Sequence, residues 1–248
     1  MGQEAENLIY LREHTKVRVP KLYAVFEVNN IIISPSPRII VITEFIEGFV
    51  FNAITFPRLD QRDQDIIRSR LGEQLQLLRS VKQPGDSPYY GRIHHQGLNP
   101  VLSCLRRRPD GMSGPFDSYE ELVDELYKSI ERVAAMDNPR PDFSDHHIIF
   151  LDKFKRILNG PGVVEPTLTH LDASLKNVIS RPIKDRDGKT IDWEITLVDW
   201  DTMAWMPPYF QYLCMDNAKE EWDFYTKYLG DEGREKADFL RCGYWDVC

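Results

Sequence analysis

Several things are scarce in this chain, and each scarcity closes off a class of function. It has 4 cysteines in 248 residues, Cys104, Cys214, Cys242 and Cys248, and no two of them form a CxxC pair. The usual zinc and thioredoxin-type motifs are therefore excluded, and a chain this long with so little cysteine is not a disulfide scaffold. A reducing, cytoplasmic setting is expected. No apolar run approaches the ~20 residues of a membrane span, and "MGQEAENLIYLREHT" has no signal-peptide core. No membrane partner is expected. Basic residues are not in excess either: 31 Lys and Arg face 39 Asp and Glu, a net charge of -8. Nucleic acid, whose phosphates call for Lys and Arg, is not an expected partner.

What is present reads as one ordered α+β chain, long enough to bury a sizeable core. Ala5, Leu8, Ile9 and Arg12 follow helical spacing. After Pro20, Leu22 to Val28 reads as a strand, and "IIVITEFIEG", residues 39–48, as a buried strand with two apolar faces that pairs with it antiparallel. Ile66, Ile67, Leu71, Leu75 and Leu78 mark one face of a helix. Residues 84–115 form a long irregular connection whose Arg106, Arg107 and Arg108 read as a solvated patch. Ser118 and Glu121 make a capping box ahead of the stripe Leu122, Leu126, Ile130 and Val133. A further helix is expected over residues 146–158. The histidine pairs His94-His95 and His146-His147 read as surface residues, since adjacent side chains rarely converge on one ion. "DRDGKT" is a turn, and Ile191, Trp193, Ile195 and Leu197 alternate as the returning strand of a hairpin. The tail from Pro207 is mainly helical.

The chemistry concentrates at "LTHLDASLKNVIS", residues 168–180, where His170, Asp172 and Asn177 stand between two strand-like stretches. The hairpin that follows brings Asp199 back beside Asn177. An amide and a carboxylate on neighbouring short segments offer hard oxygens to Mg²⁺. Asp172, a few residues earlier, is available to accept a hydroxyl proton. Phosphoryl transfer needs little more than such positioning and neutralised phosphate charge. The competing reading makes Asp172 and Asn177 turn residues and Asp199 a strand end.

The spacing of His170, Asp172 and Asn177 matches the protein-kinase catalytic loop. The surrounding words resemble the aminoglycoside phosphotransferase family, in particular its fungal phosphotransferase-like branch: "THLDASLKNVI", "LVDWD" and "AWMPPYFQYL", with "EAENLIYLREHTKVRVPKLYAVF", "IIVITEFIEG" and "GPFDSYEEL" upstream. The resemblance implies a protein-kinase-like two-lobe fold, with a partial N-lobe over residues 1–48 and a mainly helical C-lobe over residues 49–248. It implies an enzyme that uses ATP and Mg²⁺ to phosphorylate a hydroxyl of a small molecule. Asp172 would be the catalytic base, with His170 bracing its loop. Asn177 and Asp199 would be the metal ligands. Glu44, Phe45 and Ile46 would form the hinge whose backbone pairs with adenine, with Thr43 behind the base. Glu4, in preference to Glu6, would be the helix glutamate that orients a phosphate-binding lysine.

The chain also departs from that pattern. Leu171 stands where the family has glycine, and Ser174 where it often has a basic residue or histidine. Strand-like alternation turns Lys176 away as a surface lysine, the alternative being that it reaches a phosphate. Only Met1, Gly2 and Gln3 precede Glu4, so the strands that carry the phosphate loop and its lysine have no counterpart in this sequence. A non-catalytic binding or scaffold protein on the same fold is the alternative to the enzyme. A hydrolase built on His170 and Asp172 is weaker, for want of a Gly-x-Ser-x-Gly elbow.

Overall fold

The computed structural model describes residues 2–28, 38–98, 114–137, 145–215, 218–231 and 233–244. In chain order its elements are α1 (Gln3–His14), β1 (Leu22–Val28), β2 (Arg38–Thr43), β3 (Phe49–Val50), α2 (Gln61–Arg79), α3 (Tyr119–Asp137), α4 (Asp145–Leu158), β4 (Thr167–Thr169), β5 (Val178–Lys184), β6 (Thr190–Leu197), β7 (Ala204–Met206), α5 (Phe210–Leu213), α6 (Ala218–Leu229) and α7 (Arg234–Tyr244). The α+β class is as expected, with short antiparallel sheets set among helices. The chain divides into two compact units that interleave in sequence. Met1–Val81, Asp172–Met203 and Cys214–Gly230 form the first, and Lys82–Leu171, Ala204–Leu213 and Asp231–Cys248 the second. Arg106 to Arg108, the side chains of His146 and His147, and Val133 lie outside what is described.

In the first unit, α1 carries Glu4 and Glu6 in its first turn and Arg12 and His14 in its last, which complements the helix dipole. Its buried stripe is Ala5, Leu8 and Leu11, flanked by Asn7 and Tyr10. Ile9 and Arg12 are exposed, so the stripe is rotated from the expected one. β1 and β2 pair antiparallel with Phe26 opposite Ile40, as expected. The second strand ends at Thr43, earlier than residue 48, and it is not buried: Ile39, Ile40 and Ile42 are all exposed. Among the described residues β1 and β2 form a sheet of two strands, too few to cover both of their own faces.

α2 is capped by Asp60, whose Oδ1 accepts from Asp63 N–H at 2.8 Å, and it buries Ile67, Leu71, Leu75 and Leu78. The hairpin β5–β6 is the unit's best-defined sheet, with β3 added at its edge. Trp193, Ile195 and Leu197 point inward while Asp192 and Glu194 point out. Those outward carboxylates are laced to arginines. Arg70 bonds Asp192 at 2.6 Å, and Glu194 takes both Arg181 and Arg18. Arg62 donates to the Thr190 and Ile191 carbonyls at 3.1 Å, so α2 is stapled along β6. At the tip, Asp185 Oδ1 accepts from Lys189 N–H and Gly188 takes φ +82°, a value only glycine adopts without strain.

The second unit is mainly helical. The Ser118 hydroxyl accepts from Glu121 N–H at 3.1 Å, and Glu121 returns a carboxylate to Asp117 N–H, one residue earlier than a standard capping box. Leu122, Leu126 and Ile130 of α3 meet Phe150, Phe154 and Leu158 of α4, and Leu240 of α7 is buried with them. The end of α4 is closed by Lys236, buried, whose Nζ donates to the Leu158 and Gly160 carbonyls at 2.7 and 2.9 Å. Burial pushes its pKa down, and the two carbonyls hold the ammonium in place. β4 pairs with β7, Leu168 opposite Trp205, and this pairing leads the chain out toward His170.

Candidate active site

The loop between β4 and β5 turns tightly. Asn177 N–H donates to the Ser174 carbonyl at 2.9 Å, closing a 3₁₀ turn over Leu175–Asn177. The Asn177 side chain then reaches back, its Nδ2 donating to the Asp172 carbonyl at 2.8 Å. That bond commits the amide nitrogen and fixes which end of the amide is the oxygen donor. Asn177 also accepts Val198 N–H at 3.0 Å on its carbonyl, just past the Val178–Leu197 pair of the hairpin. The register of β5 and β6 therefore carries Asp199 to the same end of the sheet as Asn177.

Asp199 has φ 63° and ψ 61°, in the left-handed region. Aspartate tolerates this conformation better than most residues, but it is held there only when its surroundings demand it. They do so through the next residue. Trp200 N–H donates to the Glu4 carboxylate, and the Trp200 carbonyl accepts Asn7 Nδ2 at 2.6 Å. Two residues one turn apart on α1 thus grip both backbone groups of one residue, in the peptides on either side of it. Trp200 itself is fully buried, with Nε1 donating to the Leu197 carbonyl at 2.9 Å.

Four carboxylates of the first unit act on one another here. Burial pushes the Glu4 pKa up, and the Asp199 charge pushes it further, against the bond from Trp200. Asp201 is raised to about 6, by burial first, then by Asp199, Glu4 and Asp172. Asp172 is held by its own loop: Ser174 Oγ donates to Oδ1 at 3.2 Å, and Lys176 Nζ pairs with Oδ2 at 2.8 Å. The expectation that Lys176 turns away is wrong. The 3₁₀ turn replaces strand-like alternation and brings residues four apart onto one side.

His170 belongs to the second unit. It is fully buried, and Gln211 clasps its backbone from both sides, accepting from the N–H at 3.2 Å and donating to the carbonyl at 3.0 Å. Glu44 lies beyond the end of β2, where its N–H donates to the Lys21 carbonyl at 2.8 Å and its carboxylate accepts Lys21 N–H at 3.1 Å. Phe45 is 89% exposed, and Ile46 is half-buried. Gly48 closes this segment against β5, where a Cβ would meet the Ile179 side chain at 2.6 Å and the Ser180 carbonyl oxygen at 2.9 Å. The segment 44–48 and the loop that ends at Asn177 therefore share the β5 edge.

Among the described residues, no three His, Cys, Asp or Glu side chains are spaced to cage a metal. Mg²⁺ does not need such a cage, because it binds through one or two protein oxygens together with substrate phosphates and water. The donor set fits it: an amide oxygen, Asp199, and the neighbouring carboxylates Glu4 and Asp201, whose pKa values are raised by burial first and then by the charge of Asp199. Zinc-type ligation does not fit, since nitrogen and sulfur donors are missing from the cluster.

No protein-family model and no curated protein sequence matches the chain. Solved structures do. The aminoglycoside phosphotransferase APH(2'')-Ib with ADP bound superposes with a TM-score of 0.55 at 16% identity, over 99% of this chain and 72% of that one. The gentamicin complex of APH(2'')-IIa gives 0.56 at 16% identity, over 99% and 71%. The chain has the aminoglycoside phosphotransferase fold. The ternary complex of APH(2'')-IIa with streptomycin and ATP, at 0.53 and 17% identity over 99% and 72%, is similar to it in the same way. Within this fold, Asn7, Asp201 and the two partners of Asp172 escaped sequence reasoning. The signal for Asn7 was its place one turn after Glu4. For Asp201 it was a second carboxylate two residues after Asp199.

Proposed function

We propose that the chain is an ATP-dependent phosphotransferase acting on a hydroxyl of a small molecule. The observation that carries the reading is the Asp199 turn: a left-handed aspartate, locked by α1, at the sheet end where Asn177 is also fixed. Asn177 Oδ1 and the Asp199 carboxylate are the groups that would hold Mg²⁺, which when bound neutralises phosphate charge. Asp172 orients the acceptor hydroxyl and takes its proton. The acceptor oxygen then bonds to the γ-phosphorus, the bond to the β–γ bridging oxygen breaks, and ADP leaves with that electron pair. His170 acts at a distance, as part of the clasped backbone that delivers Asp172. The backbone of Glu44, Phe45 and Ile46 is the candidate adenine contact, with the Glu44 N–H already committed to Lys21. Glu4 supports the site by holding the Trp200 N–H. The ADP, ATP, gentamicin and streptomycin of the similar structures support a nucleotide donor and a small-molecule acceptor, and a cytoplasmic setting is part of the same proposal.

The rival is a non-catalytic protein on the same fold, favoured by the Asp172 carboxylate being already paired with Ser174 and Lys176. Thermal unfolding separates the two. Mg²⁺-ATP at millimolar concentration is expected to raise Tm by several degrees, as binding to the native state requires, and Asp199→Ala to abolish the rise. An unchanged Tm in the unsubstituted protein would sink the phosphotransferase reading. A rise without phosphate transfer to any hydroxyl compound supports the rival.

A further inference from the structure

Both oxygens of the candidate base are taken. Ser174 Oγ donates to Asp172 Oδ1 at 3.2 Å, and the Lys176 ammonium sits on Oδ2 at 2.8 Å. An acceptor hydroxyl has to reach one of these oxygens, and the Lys176 ammonium stands on the one that Ser174 leaves open. Yet the pair is loosely built. The Lys176 side chain is 64% exposed, it hangs on a flexible four-carbon stem, and exposed pairs of this kind hold weakly. Lys176 is also the residue immediately before Asn177. A nucleotide phosphate bound through Asn177 and Asp199 therefore competes with Asp172 for the same ammonium, and a terminal phosphate carries more charge and more acceptor oxygens than one carboxylate.

We propose that Lys176 is a phosphate-responsive latch on Asp172, holding Oδ2 in the empty enzyme and giving it up when the terminal phosphate of the nucleotide arrives. The inference rests on the reading of Asp172 and Asn177 given above. It makes Lys176 a positioning residue that couples donor binding to release of the base. It also supplies a cation for the phosphates from the catalytic loop itself. Without donor, the base stays masked, which suppresses deprotonation of the acceptor when there is no phosphoryl group to transfer.

Titration calorimetry of the full chain in Mg²⁺ with ATP, ADP and AMP tests this. The protein is expected to prefer ATP over ADP, and Lys176→Met to lose about threefold or more in ATP affinity while its ADP and AMP affinities stay within about twofold. Lys176→Arg should keep the preference. Asp172→Asn, which breaks the latch in advance, should bind ATP about threefold or more tightly than the parent. That gain should vanish in the doubly substituted Asp172→Asn, Lys176→Met protein. The exposure of Lys176 means that its replacement leaves the fold intact, which an unchanged Tm verifies. An ATP-to-ADP ratio that is the same in all of these proteins overturns the latch and leaves nucleotide binding standing. Failure of the unsubstituted protein to bind any nucleotide overturns the phosphotransferase reading, and the latch with it.

Discussion

At Asp201, burial and three neighbouring carboxylates act in one direction and raise its pKa to about 6 from an ordinary 3.8. The folded state therefore holds this proton more tightly than the unfolded chain does. The stability that follows is fully present below about pH 4 and is lost as pH rises through about 6. Asp201→Asn keeps a neutral donor toward Asp199 at every pH. Its metal-free form is expected to be more stable than the parent at pH 7.5 by about 1 kcal/mol, after discounting for solvent around a half-buried group, or about 2–4 °C in Tm. The difference should close at pH 4. Mg²⁺ should stabilise the parent more than the variant, because a divalent cation relieves the repulsion that the variant has already lost. Equal Tm values at both pH values would refute the crowding of charge at this turn.

A single helix decides the conformation of the Asp199 turn. α1 places Glu4 and Asn7 on one side, and these two hold the N–H and the carbonyl of Trp200. Removing Asn7 leaves that buried carbonyl without its donor, a loss of about 1–3 kcal/mol. Asn7→Leu is therefore expected to lower the urea midpoint and, because the turn carries Asp199, to shrink the Mg²⁺-ATP thermal shift as well. A stability loss with the nucleotide shift intact would separate α1 from the site. The same element shows what periodicity can reveal. Helical spacing located α1, but its rotation was off by about one residue, because the polar Asn7 is buried and the apolar Ile9 is exposed. An apolar stripe reports the buried face only where burial is driven by apolar contact, and here a hydrogen bond drives it. Strand-like alternation failed for Lys176 for a related reason: the segment is a 3₁₀ turn held by the Ser174 carbonyl.

For the molecule as a whole, the sheet of β1 and β2 is the exposed liability. Tyr23, Phe26, Ile39, Ile40 and Ile42 face solvent on two strands, and among the described residues no third strand pairs with either edge. Apolar strands with open edges associate with one another. Ile40→Lys together with Ile42→Lys is expected to reduce concentration-dependent light scattering on warming while changing stability by about 0.5 kcal/mol or less per site, as for other exposed positions. A large drop in the urea midpoint would instead place both side chains in a core.

The sequence alone determined the features that depend on neighbours close along the chain. These are the β5–β6 hairpin with its Asp187-Gly188 turn, the apolar face of α2, the cap of α3, and the spacing of His170, Asp172 and Asn177. Local periodicity and turn chemistry are written in short windows, so they can be read there. The tertiary structure alone decided which of those residues meet. Asn7 and Trp200 are 193 positions apart, and no short-range pattern records their bond. β2 has the composition of a buried strand, yet its exposure is set by what covers it. Asp172 was legible as an aspartate at the right offset, but the two groups on its oxygens appeared only when the loop was folded, because a turn, unlike a strand, chooses its own neighbours.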